Sequence, residues 1–252
     1  MTKELILPRL SRRRLKQLED LTGSCSLQEG LSLSCPSDAD RFYLLQSEKG
    51  ALLSALAAYT AEGFWECYAF TRPDCRNKGY FSRLLKTAQR DSLRFLGCRG
   101  LLFLTDHKSP DAEKTLKAMD AVLVRQEHAM LLKLQASASS SKEETLSLSF
   151  SPSGDSPDAS LLTAEARYGS DPVGSCRLCR MGETACLYSF EILPPLRGQG
   201  FGSLFLNALI SQAPGLGISS LLLQVSGDNT PAMRLYEKTG FRITETLSYY
   251  LY

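Results

Sequence analysis

Leu193-Pro194-Pro195-Leu196-Arg197-Gly198-Gln199-Gly200-Phe201-Gly202-Ser203 decides how this chain is read. An apolar run over residues 187–192 leads into it, and a helix-like run over 204–210 leads out. A strand therefore ends, prolines turn the chain, and a glycine-rich loop with one arginine opens a helix. The first N–H groups of a helix lack intrahelical acceptors, and the helix dipole adds positive potential there. Glycines let backbone approach a ligand closely. The stretch reads as an anion cradle with the dimensions of a pyrophosphate site.

Around it the sequence predicts strands over 146–150, 161–168, 173–181 and 185–192, then a helix over 202–212. A strand over 221–225 follows. Asp228-Asn229-Thr230-Pro231 starts a further helix, which Gly240 stops, and strands are expected over 241–246 and 249–252. The first half carries the same order. Strands are expected over 31–35, 41–46, 51–59 and 64–70, with a helix over 82–96. A strand over 101–104, a helix over 111–119 and strands over 122–124 and 129–134 complete it, and an amphipathic helix over 9–21 precedes it all.

The two halves are copies. Pro73, Arg76, Gly79 and Ser82 recur 121 residues later as Pro194, Arg197, Gly200 and Ser203. A repeat this long marks two like domains rather than a solenoid. The Ala/Ser-rich stretch 135–145 is the expected linker, giving domains 1–134 and 146–252. The expected class is α+β: two tandem domains, each a mixed, mostly antiparallel sheet flanked by helices.

Composition narrows the function classes. A net charge of +2 over 252 residues points to no nucleic-acid or membrane partner. The apolar runs fall far short of a bilayer span, and Pro8 interrupts Leu5-Ile6-Leu7, so a cytoplasmic protein is expected. The eight cysteines then read as reduced thiols. Cys176 and Cys179 form a lone CxxC in a strand, where positions three apart face opposite ways, so no metal site is expected. His107 and His128 have no visible partners and read as surface residues. A dinucleotide site fits poorly, because hairpins rather than a βαβ unit precede the loop, and no Gly-Lys-Ser/Thr makes a P-loop.

Arg197-x-x-Gly200-x-Gly202, followed by Asn229-x-x-Ala232-x-x-Leu235-Tyr236-x-x-x-Gly240-Phe241, resembles the GNAT superfamily of N-acetyltransferases. The resemblance covers the second half directly and the first half through the repeat, so the chain resembles a tandem GNAT with a degenerate N-terminal half. It implies acetyl-CoA as co-substrate and acetyl transfer to a primary amine of a small molecule or peptide. It implies that the backbone of Phe190, Glu191 and Ile192 holds the pantetheine arm. The backbone of Gly198, Gln199, Gly200, Phe201, Gly202 and Ser203 would then hold the pyrophosphate, with Arg197 beside it. Asn229 and Tyr236 match positions near the pantetheine and sulfur. Tyr236 is the expected acid for the leaving thiolate, and the Ile192 N–H the donor to the oxyanion.

The base departs from the pattern. Relatives that acetylate protein N-termini often carry a glutamate on the fifth strand, where this chain has Gln224. Glu191 is the candidate, with Glu165, Tyr188 or a water relay as substitutes. In the first half, Phe81, Ser109 and Leu116 stand where Gly202, Asn229 and Tyr236 stand, so that half is expected to support the second and wall the acceptor site. The alternative is a non-catalytic acetyl-CoA-binding or scaffold protein.

Overall fold

Glycines and β-bulges, more than the lengths of the apolar runs, decide how these strands assemble. The computed structural model describes residues 2–94, 98–134, 146–152 and 160–252. The chain divides into two compact units: unit 1 is Met1–Gln126 with Leu247–Tyr252, and unit 2 is Glu127–Thr246. This division differs from a cut at 135–145, a stretch that lies outside the described residues.

Unit 1 begins with β1 (Thr2–Leu7) and α1 (Arg12–Glu29), followed by β2 (Arg41–Ser47), β3 (Leu52–Ala61) and β4 (Phe64–Thr71). A short 3-10 turn, Pro73–Cys75, leads into α2 (Tyr80–Ser92), then β5 (Leu101–Thr105), α3 (Pro110–Ala118) and β6 (Val122–Lys133). Strands run in the order β1-β2-β3-β4-β5, and the next partner is the end of β12 (Arg242–Leu251), whose Ser248 to Leu251 pair with Thr105 to Leu102. Only β4 and β5 run parallel. Alternate residues of β2 enter opposite cores. Tyr43 and Leu45 pack under α2 with Leu84 and Phe103, whereas Phe42 and Leu44 pack under α1 with Leu18, Leu21 and Cys25. The sheet of unit 1 is therefore covered on both faces.

Unit 2 holds β7 (Ser147–Pro152), β8 (Leu161–Tyr168), β9 (Asp171–Met181) and β10 (Thr184–Ile192). The 3-10 turn Pro194–Leu196, α4 (Phe201–Gln212), β11 (Ser220–Ser226) and α5 (Thr230–Lys238) follow. Its strand order is β6-β11-β10-β9-β8-β7, with β10 and β11 the parallel pair. One core, containing Leu178, Leu187, Phe205, Leu209, Leu223 and Phe241, lies on the α4 face. Unit 1 spends 33 residues between β1 and β2 and places α1 there; between β7 and β8 unit 2 has eight. Eight residues cannot hold a helix of that length. The opposite face of unit 2 accordingly presents Glu165, Arg177, Tyr188, Glu191 and Gln224, all exposed.

Several expectations need correction. The first helix does not stop at 21 but runs to Glu29, because Leu18, Leu21 and Cys25 continue its buried stripe and Gly30 then caps it in the left-handed region at φ 67°. Residues 31–35 are not a strand, and Thr2–Leu7, read only for targeting, is one, paired with β2 along its length. The four short strands expected at 122–124, 129–134, 241–246 and 249–252 are two long ones, β6 and β12. Polar residues interrupt their apolar runs, yet these find partners: Gln126 Nε2 donates to Ser248 Oγ at 2.9 Å, and His128 Nδ1 lies 2.9 Å from Thr246 Oγ1. His107 likewise is no isolated surface residue. Its Nε2 lies 2.6 Å from Ser248 Oγ and its Nδ1 3.0 Å from a Glu113 carboxylate oxygen.

Candidate active site

A bulge in β10 creates the site. β10 pairs with β9 from Thr184↔Met181 to Tyr188↔Arg177, and resumes at Glu191↔Ser175 and Ile192↔Gly174. Ser189 and Phe190 thus oppose one residue of β9, and Ser189 takes φ 50°. The extra residue switches the parity of the strand. Ala185 and Leu187 face the core before the bulge; Phe190 and Ile192 face it afterwards, and Glu191 points to the open face. Phe190 then stacks against Phe205 at 5.0 Å and meets Tyr236 edge-on at 6.4 Å.

Gly174 makes the bulge sterically feasible. A Cβ there would lie 2.1 Å from the Glu191 carbonyl oxygen and 3.1 Å from Ile192 Cα, so only glycine admits this approach. The Leu193 N–H donates to Val173 O at 2.9 Å. In an antiparallel ladder hydrogen-bonded pairs alternate, so 192/174 is a non-bonded pair. The Ile192 N–H and C=O therefore point away from β9.

They point towards a split. β10 and β11 pair at Thr184↔Ser220, Ala185↔Leu221 and Cys186↔Leu222, where their register ends, although both strands continue. The glycine loop closes the wide end of this wedge. Gly198 and Gly200 take φ 75° and 89°, and neither has any atom within 4 Å of a would-be Cβ. The first backbone donations into α4 come from Ser203 (3.0 Å) and Leu204 (3.2 Å), both to Gly200 O. The N–H groups of the preceding turn are thus free of the helix ladder and gathered at its positive end. This arrangement suits the pyrophosphate of a coenzyme lying along the split.

The remaining expected residues take definite places. Arg197 folds back, donating from Nε to Ile192 O at 2.9 Å and from a terminal nitrogen to Glu191 at 3.2 Å. It ties the loop to the end of β10; its side chain is 57% exposed and that of Glu191 65%. Gln199 Nε2 donates to Pro195 O at 2.7 Å. Gly202 faces α5, with Leu235 Cδ2 3.3 Å and Ile192 Cγ1 3.8 Å from a would-be Cβ. Phe201 meets Tyr168 edge-on at 5.9 Å. Asn229 is the N-cap of α5: its Oδ1 accepts from the Ala232 N–H at 3.3 Å. Tyr236 is 8% exposed, and burial raises its hydroxyl pKa, with Cys176 a smaller cause. A phenol so placed stays protonated at neutral pH, the form that donates. Cys176 sits in the core with its thiol pushed up to about 12 by burial, whereas Cys179 faces the other way.

Gln224, Glu165, Tyr188 and Glu191 share the open face. Cross-strand register puts Glu165, Ser175 and Glu191 in one row, so Glu165 stands two strands from Glu191. Tyr236 and Phe190 lie on the other side of β10. An acid and a base drawn from these residues would approach the split from opposite faces.

Unit 1 repeats the loop with different contents. β4 pairs with β3 continuously from Phe64 to Thr71, without a bulge. Asn77 and Gly79 take φ 58° and 74°, reproducing the backbone of Gly198 and Gly200. Ser109 caps α3 as Asn229 caps α5. Arg76, however, is engaged. Its terminal nitrogens donate to both Glu29 oxygens at 2.6 and 2.8 Å, and one also reaches Asp111 at 3.1 Å. Glu29 was not singled out from the sequence, because it lies eight residues past the expected end of its helix. Its pKa is lowered, first by the Arg76 hydrogen bonds. A lowered carboxylate pKa means the folded state binds fewer protons than the unfolded one. The stabilisation is complete above the ordinary glutamate value and is lost as pH falls through the lowered one. Thermal melts in a pH series should show wild type losing stability more steeply than Glu29→Gln below about pH 4.3. Parallel curves would show that the ion pair contributes nothing.

A mixed sheet split beside its parallel pair, with a glycine loop opening a helix at the split, defines an acetyltransferase-type fold. Residues 129–241 match the Acetyltransferase (GNAT) family. Solved structures share the fold over nearly the whole chain. A GCN5-related N-acetyltransferase from Sphaerobacter thermophilus superposes with TM-score 0.69 at 13% identity, covering 98% of this chain and 94% of that one. A tandem GNAT protein from the clavulanic acid biosynthesis pathway gives 0.64 at 13% identity, covering 99% and 98%. Among curated relatives, a [ribosomal protein bS18]-alanine N-acetyltransferase of Haemophilus ducreyi is 39% identical over 69 residues, 27% of this chain and 48% of that protein. A mycothiol acetyltransferase of Mycobacteroides abscessus is 36% identical over 66 residues, 26% of this chain and 21% of that protein. The chain thus spans about half or less of the curated relatives it matches. Among the described residues no helix is long and apolar enough to cross a membrane.

Proposed function

We propose that unit 2 transfers an acetyl group from acetyl-CoA to a primary amine. The observation that carries this is the pairing of the free N–H turn at Gly198–Gly200–Gly202 with the bulge-opened split between β10 and β11. The coenzyme supplies the activated thioester. The protein's part is to hold it, position the amine and manage two protons.

The loop N–H groups take the pyrophosphate, and the β10 backbone at Phe190 and Ile192 takes the pantetheine amides along the unpaired edge. The Ile192 N–H, turned away from β9, donates to the developing oxyanion. Tyr236, protonated and packed beside Phe190, gives its proton to the leaving sulfur. Glu191, on the open face, takes the proton of the attacking amine directly or through water. Holding coenzyme and amine together removes the entropy of their encounter. Among the described residues no helix of unit 2 roofs that face, and the acceptor enters from the side carrying Glu165, Tyr188 and Glu191.

The test is free-thiol release from acetyl-CoA across a panel of primary amines. For the working enzyme, Tyr236→Phe should lower kcat about 10- to 100-fold while the coenzyme Kd changes less than about twofold. A collapse of affinity would make Tyr236 a packing residue only. One observation favours a second reading, a protein that binds acetyl-CoA without turnover: β11 presents Gln224, an amide with no useful basicity, beside the split. Saturable acetyl-CoA binding with no thiol release on any amine would establish it.

A further inference from the structure

Unit 1 contains a cavity of about 540 Å³, within the range typical of small-molecule sites. It occupies the wedge between β4 and β5, whose pairing ends at Cys67↔Phe103. It has a roof, which the split in unit 2 lacks among the described residues. The end of α1 and the segment after it contribute Cys25, Glu29, Leu31 and Leu33 to its wall. That segment is fastened down: the Ser32 N–H donates to Asp106 Oδ2 at 2.7 Å, and Lys108 Nζ bonds Ser32 Oγ.

We infer that this cavity is a binding site for an uncharged, largely apolar small molecule, and that Glu29, together with Phe81, excludes a coenzyme from it. Glu29 lies across both positions that correspond to Arg197 and Asn229, accepting from Arg76 and from Ser109 Oγ at 2.9 Å. The side chains of Arg76 and Glu29 are only 16% and 9% exposed, so solvent screens the pair weakly. The chain's own carboxylate thus already holds both Arg76 and Ser109. Asp111 and Asp106 add two more negative charges to the wall, against Arg76 and Lys114. A pyrophosphate arriving here would have to displace Glu29 and face the aspartates.

The lining of the cavity is also rich in apolar groups. Tyr68, Phe70, Phe81, Leu85, Phe103 and Met119 form the wall. Phe81 stands where unit 2 has Gly202; it lines the wedge, and its ring meets Phe103 edge-on at 5.9 Å. Aromatic and thioether groups lining a wedge select flat or flexible apolar ligands. The loop keeps its backbone shape while its ligand class has changed.

The test uses the full chain and N-phenyl-1-naphthylamine, a neutral apolar fluorophore. It should bind saturably at one equivalent per chain and keep its affinity in saturating CoA. Ala69→Phe and Ala112→Phe place bulk on different walls of the cavity, and each should weaken binding about tenfold or more. Two variants are used so that a fold defect in one leaves the other informative. In parallel, equilibrium dialysis of CoA should give one equivalent for wild type and for Phe81→Gly alone, and two when Glu29→Gln is added to Phe81→Gly. This arm rests on the coenzyme reading of unit 2. No saturable fluorophore binding, or wild-type affinity in both folded filling variants, would overturn the pocket. Two CoA equivalents in wild type or in Phe81→Gly alone, or no gain when Glu29→Gln is added to Phe81→Gly, would overturn the role of Glu29. No CoA bound by wild type would instead sink the function proposed for unit 2 and leave the fluorophore arm standing.

Discussion

Gly174→Ala should lower the thermal midpoint by about 5–10 °C and reduce acetyl transfer at least tenfold. The added Cβ would sit 2.1 Å from the Glu191 carbonyl oxygen and 3.1 Å from both the Glu191 carbonyl carbon and Ile192 Cα. These are backbone atoms, which cannot swing aside as the end of a side chain does. Overpacking a tight site costs about 1–3 kcal/mol, and each kcal/mol moves the midpoint about 2–4 °C at this chain length. The strands can relieve the clash only by separating at 192/174. That moves the Ile192 N–H and the Phe190 backbone, which line the proposed coenzyme path. Loss of activity should therefore exceed what the melting shift accounts for, measured well below the midpoint. Wild-type melting together with wild-type turnover would show that the close approach does not hold the bulge.

The second large effect is expected for Gly202→Phe. A methyl at this position crowds the mobile end of Leu235 and meets Ile192 at ordinary contact distance, so Gly202→Ala should bind CoA within about threefold of wild type. A phenyl ring has no such room. It must pass between α5 and Ile192, into the mouth of the split beside the free N–H turn. Coenzyme affinity should fall about 100-fold, some 2.7 kcal/mol, by isothermal titration. Phe81→Gly, the reverse change in unit 1, should gain no coenzyme site by itself, because Glu29 still holds Arg76. Equal affinities for Gly202→Phe and wild type would remove this loop from the coenzyme site.

Local signals made much of this architecture readable. Proline, glycine and an N-cap residue recur at fixed offsets, and each acts within a few residues. The 3-10 turns, the glycine loops and the caps at Ser109 and Asn229 were legible for that reason. The bulge was written there too, as a parity change from Ala185 and Leu187 to Phe190 and Ile192, and it passes unnoticed when the run is read as one apolar strand. What could not be read was pairing at long range. The polar stretch Arg125-Gln126-Glu127-His128 looks like a break because its partners, Thr246 and Ser248, lie about 120 residues away. Glu29 was missed for the same reason: nothing near it announces Arg76. The proposed acid and base differ likewise. Tyr236 lies in a spaced motif, whereas Glu191 acquires its direction only from the bulge.

The exchange of β12 between units sets the order in which the molecule can be completed. β5 is a central strand of unit 1, yet one of its neighbours is supplied by residues 248–251. A polypeptide emerging from the ribosome would have its first 126 residues available long before that strand exists. Until then β5 presents an open, apolar edge built from Leu101, Leu102 and Phe103. Contacts so distant along the chain form slowly, and such an edge is open to wrong partners meanwhile. The nascent first half is therefore the stage at which a chaperone holding exposed strands would matter most. Truncations that remove the last six residues should yield aggregates rather than an intact first unit.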